Sequence, residues 1–326
     1  MALDCVFTTG VIAVKEKNLL KEKLFRLAEM TTEEAFRALI EHGFGGGAET
    51  ASSPYEYEAL ISVEEKDSEA FIREYAPTKE TAAYFLSPRD FHNAKALLKA
   101  KYLSLSEEKM LAGEGLIPIS LLTSCVVSSD FSPLEELNSE LKSACEEAVK
   151  LFEEEMVSGA QIGLLFDRAS NQHLLRVLKR NRLLKKFIVR KTDMINILTA
   201  LRSKDSQQAE KYYLLGGELL KEKLAVFFGE NEEKILAEFS TTPYSNFVKA
   251  CVEAKQKGVP YFIAEKMLAG FETECFSARK YELKSEQPFL YYVLRRKIEN
   301  ANVRIVFAGK LAGLTETEIK KRLRAL

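Results

Sequence analysis

Histidine is scarce and cysteine is scattered. Three histidines, His42, His92 and His173, stand far apart in 326 residues with no cysteine or carboxylate at ligand spacing, so the sequence offers no zinc or iron site. Five cysteines, at positions 5, 125, 145, 251 and 275, occur singly without a CxxC pair, which reads as reduced core thiols of a cytosolic protein. A dominant charge is missing too: 47 Lys and Arg stand against 48 Asp and Glu, a formal −1, so no global basic field marks a nucleic-acid binder. No uninterrupted apolar run reaches the roughly 18 residues of a membrane span. The short apolar stretch Val11 to Val14 follows Asp4 and no basic leader, so it does not read as a signal peptide. Neither GxSxG nor HExxH appears, and the glycine run Gly43 to Gly47 lacks the Lys-Ser/Thr and the preceding strand of a phosphate loop. The expectation is a chain with no catalytic residue, no cofactor, no metal and no direct membrane span.

What is present is helical. Apolar residues make up 46% and charged residues 29%, ordinary for a folded domain, and 326 residues suffice for two or three of them. Thr31 with Glu33 and Glu34 predicts a capped helix entering at Ala35, which Gly43 to Gly47 ends. Helices are predicted over 55–75, 134–155, 159–186, 212–228, 232–239, 244–257 and 260–271, with a last short one after Thr315. Ser87-Pro88-Arg89-Asp90 reads as a helix start with Ser as N-cap. Lys179, Arg180, Arg182, Lys185 and Lys186 form the densest basic patch, placed by this reading at a helix C-terminus. Only 273–283 suggests short strands or an irregular connection.

One pattern occurs three times, at spacings of 103 and 106 residues: an acid, an asparagine three residues on and a lysine eight further. The copies are Asp90, Asn93, Lys101; Asp193, Asn196, Lys204; and Glu299, Asn302, Lys310. Apolar residues agree between the marks, as Ala94, Leu97, Leu98; Ile197, Ala200, Leu201; and Val303, Val306, Phe307. At about 100° per residue all these positions project within roughly 80° of the acid, one inward face of a helix. Recurrence at domain-sized intervals predicts one helical unit used three times, over 1–120, 121–228 and 229–326. Glycines echo it, since Gly115 follows Lys101 by 14 residues and Gly217 follows Lys204 by 13, whereas Gly313 follows Lys310 by only three.

The repeated polar residues admit two readings. Either they are three equivalent binding sites, or the acid sits in a helix first turn, the lysine near the helix end, and the asparagine satisfies buried backbone groups. The second is favoured because every copy is flanked by core positions. On residues alone the chain is a docking or mechanical component; an α-helical solenoid scaffold with an unrelated protein partner, or an enzyme acting through a cysteine, stay open beside it.

The stretch Val189 to Ile197, continuing to Arg202 and Lys204, resembles the C-type subunit of the archaeal and vacuolar-type rotary ATPases, the counterpart of the eukaryotic d-type subunit. So does Pro288 to Arg296, continuing through Glu299, Asn302, Gly309-Lys310 and Gly313-Leu314 to Leu323, with weaker similarity in Asn18 to Leu20 and Leu39 to Gly45. The resemblance implies an all-α funnel of three similar domains about a pseudo-threefold axis, without an active site. It implies a cytoplasmic rotor part, peripheral on the membrane, that receives the central-stalk rotor subunits (D and F type) and docks on the membrane proteolipid ring. Proton or sodium specificity is not implied. The charges expected to dock are Lys179, Arg180, Arg182, Lys185 and Lys186, together with Lys320, Lys321, Arg322 and Arg324.

Overall fold

A computed structural model describes residues 4–20, 23–103, 110–154 and 158–324. Among them every regular element is helical and no strand occurs. The α-helices are α1 (Cys5–Lys15), α2 (Lys23–Glu29), α3 (Thr32–Glu41), α4 (Tyr57–Tyr75), α5 (Lys79–Leu103), α6 (Ile119–Ser128), α7 (Ser139–Glu153) and α8 (Gly159–Val177). They continue as α9 (Arg182–Arg202), α10 (Ser206–Tyr212), α11 (Lys221–Gly229), α12 (Glu232–Phe239), α13 (Ser245–Gln256), α14 (Phe262–Ser277), α15 (Gln287–Leu311) and α16 (Glu316–Arg322).

Side-chain caps fix many of the starts. Thr31 and Glu34 form a reciprocal capping box on α3, as Thr315 and Glu318 do on α16. Three expectations fail for identifiable reasons. Ser87 and Pro88 lie inside α5, not at its start: Ser87 Oγ donates to Ala83 O at 2.7 Å, and buried Ala83, Tyr84 and Leu86 extend the inward face upstream. That burial outweighs the roughly 3 kcal/mol of an interior proline. The helix predicted over 159–186 breaks in a 3₁₀ turn at Leu178–Arg180, because the Asn181 side chain accepts from Leu184 N–H at 3.0 Å and begins α9 there. The segment 273–283 is helical to Ser277 and then turns, since Thr273 and Phe276 are both buried at helical spacing.

The chain divides into two compact units. The middle unit spans 83–268; its largest cluster packs Phe91, Leu97 and Leu98 of α5 against Leu122 and Cys125 of α6, Leu141 and Cys145 of α7, and Ile162 and Phe166 of α8. The end unit joins 1–82 to 269–326. There Val303, Val306 and Phe307 of α15 are wholly buried against α2, α3 and α4, each such side chain contributing about 1.5 to 3 kcal/mol. Gly45, between α3 and α4, has φ +60° and presses so closely on α4 that a Cβ would lie 2.3 Å from Leu60 O. No other residue type fits that contact.

Candidate functional site

The three repeated faces do point inward: all three acids and all three asparagines are buried, as are the nine apolar positions between them. The acids, however, are not in a helix first turn. Asp90, Asp193 and Glu299 lie near the middle of α5, α9 and α15, and what the first two grip is the segment that follows. Asp90 accepts from the backbone N–H groups of Leu116 and Ile117 at 3.1 and 3.0 Å, just ahead of α6. Asp193 accepts in the same way from Glu218 and Leu219 at 3.2 and 3.0 Å, just ahead of α11. A carboxylate on paired N–H groups near the entry to a helix meets the positive end of that helix dipole.

Each asparagine holds backbone with both ends of its amide, and in the first two copies that backbone belongs to the same connecting segment the acid grips. Asn93 accepts from Ala112 N–H at 2.9 Å and donates to Gly113 O at 3.1 Å. Asn196 exchanges both bonds with Leu214, at 2.8 and 3.0 Å, and Asn302 both with Arg324, at 2.8 and 3.1 Å. In each copy the amide satisfies part-buried backbone groups.

The lysine completes the grip at the far end. Lys101 Nζ donates to Val126 O and Val127 O and to Ser129 Oγ, the C-terminal turn of α6. Eleven residues of helix rise about 16 Å, and a ten-residue helix is about 15 Å long. Asp90 and Lys101 therefore bracket α6, which runs beside α5 in the same direction, with an anion at its positive end and a cation at its negative end. The dipole being neutralised belongs to the following helix, not to the helix that carries the motif. Lys310 repeats the contact on Ala28 O and Met30 O at the end of α2. In this third copy the backbone held by Asn302 and the helix end held by Lys310 come from opposite ends of the sequence. Lys204 departs from the pattern: it lies exposed beyond the last residue of α9.

Gly115 and Gly217 owe their place to the acids. A Cβ on Gly115 would lie 2.0 Å from Asp90 Oδ1, and one on Gly217 2.2 Å from Asp193 Oδ1. Gly313, with φ +74°, instead turns the chain after α15. Tyr244, which no repeat announces, donates its hydroxyl to Asp193 at 2.6 Å; burial first and Asp193 second push its ionisation up.

Of the charges expected to dock, Lys179, Arg180, Arg182, Lys185 and Lys186 are exposed and form no ion pair with a described residue. They spread over the 3₁₀ turn and the first turn of α9 rather than closing a helix C-terminus. From Asp167 to Asp193 no acidic residue intervenes. The C-terminal group is mixed: Lys321 and Arg322 are exposed, Lys320 is paired with Glu29 and Glu316, and Arg324 gives its backbone to Asn302.

Among the described residues no group of three or more His, Cys, Asp or Glu is placed to hold a metal ion, and no helix is long and apolar enough to cross a membrane. Burial pushes the thiols of Cys5 and Cys125 up, and that of Cys251 up to about 12, the opposite of an activated nucleophile. Sequence reasoning missed one buried ion pair, Glu64 on α4 with Arg296 on α15; Glu64 Oε1 also accepts from Gly45 N–H at 2.8 Å. Its signal was an acid on the apolar face of Leu60, Ile61 and Phe71.

Comparison with known proteins gives one family. The family model described as ATP synthase (C/AC39) subunit matches residues 8–322. The C-type subunit of the V-type sodium ATPase of Enterococcus hirae is 20% identical over 320 residues, covering 95% of this chain and 92% of that protein. The C-type subunit of the A-type ATP synthase of Methanocaldococcus jannaschii is 24% identical over 272 residues, 76% of this chain and 66% of that protein.

Proposed function

The chain belongs to the ATP synthase (C/AC39) subunit family, and from that premise we propose that it is a non-catalytic connector in the rotor of a V/A-type ATPase. It receives the central-stalk subunits and rests on the membrane proteolipid ring, peripheral to the membrane on its cytoplasmic side, and passes torque between the two. We propose with it three similar helical units, over 1–120, 121–228 and 229–326, each with a buried acid and a buried asparagine on one long helix.

The observation that carries the reading is the bracketing of a helix by a neighbour, seen in full where Asp90 and Lys101 hold both ends of α6. A part that passes torque must not let its helices slide along one another, and a helix tied at both ends to an adjacent, close-packed helix resists that shear. The unpaired basic ridge from Lys179 to Lys186 supplies a docking charge of one sign for an acidic face of the stalk or ring.

The test is purification of the tagged chain from native membranes. Recovery of both the stalk subunits and the proteolipid ring is expected. Recovery of neither from intact membranes would overturn the proposal.

A further inference from the structure

The end unit carries a half-open cavity of about 470 Å³ whose wall is polar and comes from several places in the chain. Lys15 closes α1, Asn18 and His42 follow in the next segments, the glycine loop after α3 contributes backbone, and α4 and α15 bring Glu64 and Arg296. Phe71 forms an apolar side of it, with the Lys15 ammonium 5.6 Å from the ring centre.

The hydrogen-bonding inventory of this wall is unbalanced toward donors. Glu64 is spent internally, one oxygen on Gly45 N–H and the other on Arg296 Nη2. Arg296 carries five N–H donors. Its side chain is only 12% exposed; among the described residues Glu64 is the acceptor it meets, and Glu299, one turn on in α15, adds a favourable charge without taking one of its N–H groups. His42 adds no acceptor toward the cavity: Nδ1 takes the Lys23 ammonium at 3.0 Å, which leaves Nε2–H to donate to Asn18 O at 3.2 Å. Burial first, then Lys23, lowers its proton affinity and keeps the ring neutral. Asp67, the other carboxylate on the wall, is exposed at the rim, where water screens it.

A half-enclosed guanidinium with N–H groups to spare and an ammonium on the same wall make a receptor for a tetrahedral oxyanion. We propose that this cavity binds a small phosphate-class anion, held between the Arg296 guanidinium and the Lys15 ammonium. The connector role does not require such a site.

The experiment is titration calorimetry of the full chain at pH 7 and low salt, with inorganic phosphate and with AMP as separate probes. Saturable one-site binding is expected; tighter binding of phosphate marks the free ion as the ligand, and tighter binding of AMP marks a phosphorylated metabolite. Lys15→Gln lies on the exposed rim and leaves the fold intact by circular dichroism, and it weakens binding about tenfold through loss of one charge-assisted contact. Lys17→Gln, also exposed but off the wall, leaves binding unchanged. The paired change Glu64→Gln with Arg296→Gln, which avoids a lone buried charge, abolishes it. Absence of binding for both probes at millimolar concentration overturns the proposal, as does binding indifferent to Lys15→Gln and to the paired change.

Discussion

Substituting Asn196 tests the structural reading of the repeat most directly. Asn196→Ala removes two hydrogen bonds to Leu214, one in each direction, in the middle of α9, where the residue is 4% exposed. Each bond is worth about 1 kcal/mol net, and leaving the Leu214 N–H and C=O partly buried without partners adds about 1 more. Alanine returns roughly 0.5 kcal/mol in helix propensity. The expected loss is therefore about 2 to 2.5 kcal/mol, read from urea unfolding followed by far-ultraviolet circular dichroism. Lys204→Ala is the internal control, because Lys204 shares the sequence pattern but stands exposed beyond the helix; it should stay within about 0.5 kcal/mol of the parent. An Asn196→Ala protein of full stability that fails only to bind stalk or ring would refute the reasoning and restore the repeat as a set of binding sites. So would a Lys204→Ala loss as large as that of Lys101→Ala.

Further outcomes follow from other contacts. Gly115→Ala and Gly217→Ala drive a methyl into carboxylates that backbone N–H groups hold in place and should each destabilise by about 1 to 3 kcal/mol, whereas Gly163→Ala, whose Cβ meets nothing inside α8, should stabilise by about 0.5 to 1 kcal/mol in the same unfolding assay. Burial raises the Glu140 carboxyl, but Arg176, then its own backbone N–H and then His173 outweigh it and hold it at about 2 against an ordinary 4.5. A depressed carboxyl stabilises the fold above its ordinary value and loses that contribution as pH falls from about 4.5 toward 2, so Arg176→Gln should flatten the decline of the urea midpoint in that window. Reversing Lys179, Arg180, Arg182, Lys185 and Lys186 to Glu should leave the unfolding curve near the parent's yet reduce co-purification of the stalk or ring; unchanged assembly and ATP-driven ion transport would remove the ridge from the docking surface.

Much of this protein is legible in its residues alone. Apolar spacing identifies most of the longer helices, because helical period is a local property, but α1, α6 and α10 are not read from it and the helix predicted over 212–228 begins only at Lys221. The capping boxes at Thr31 and Thr315 fix two starts outright. The inward face of acid, asparagine and apolar residues is also readable, since positions three, four, seven and eight apart share a helix face wherever the helix lies. What cannot be read is what that face touches. The sequence suggests that each acid serves its own helix; the fold shows Asp90 and Lys101 serving the two ends of α6, a partnership that exists only once two segments lie side by side. The same limit explains Pro88, accepted inside α5 for the sake of burial upstream, and Lys204, which matches its counterparts in spacing but falls outside a helix that ends at Arg202. It explains as well why α2, from the first thirty residues, meets Lys310 near the other end of the chain. Local periodicity and caps are written in neighbouring residues; which buried backbone groups need a partner, and which distant side chain reaches them, is decided only by packing.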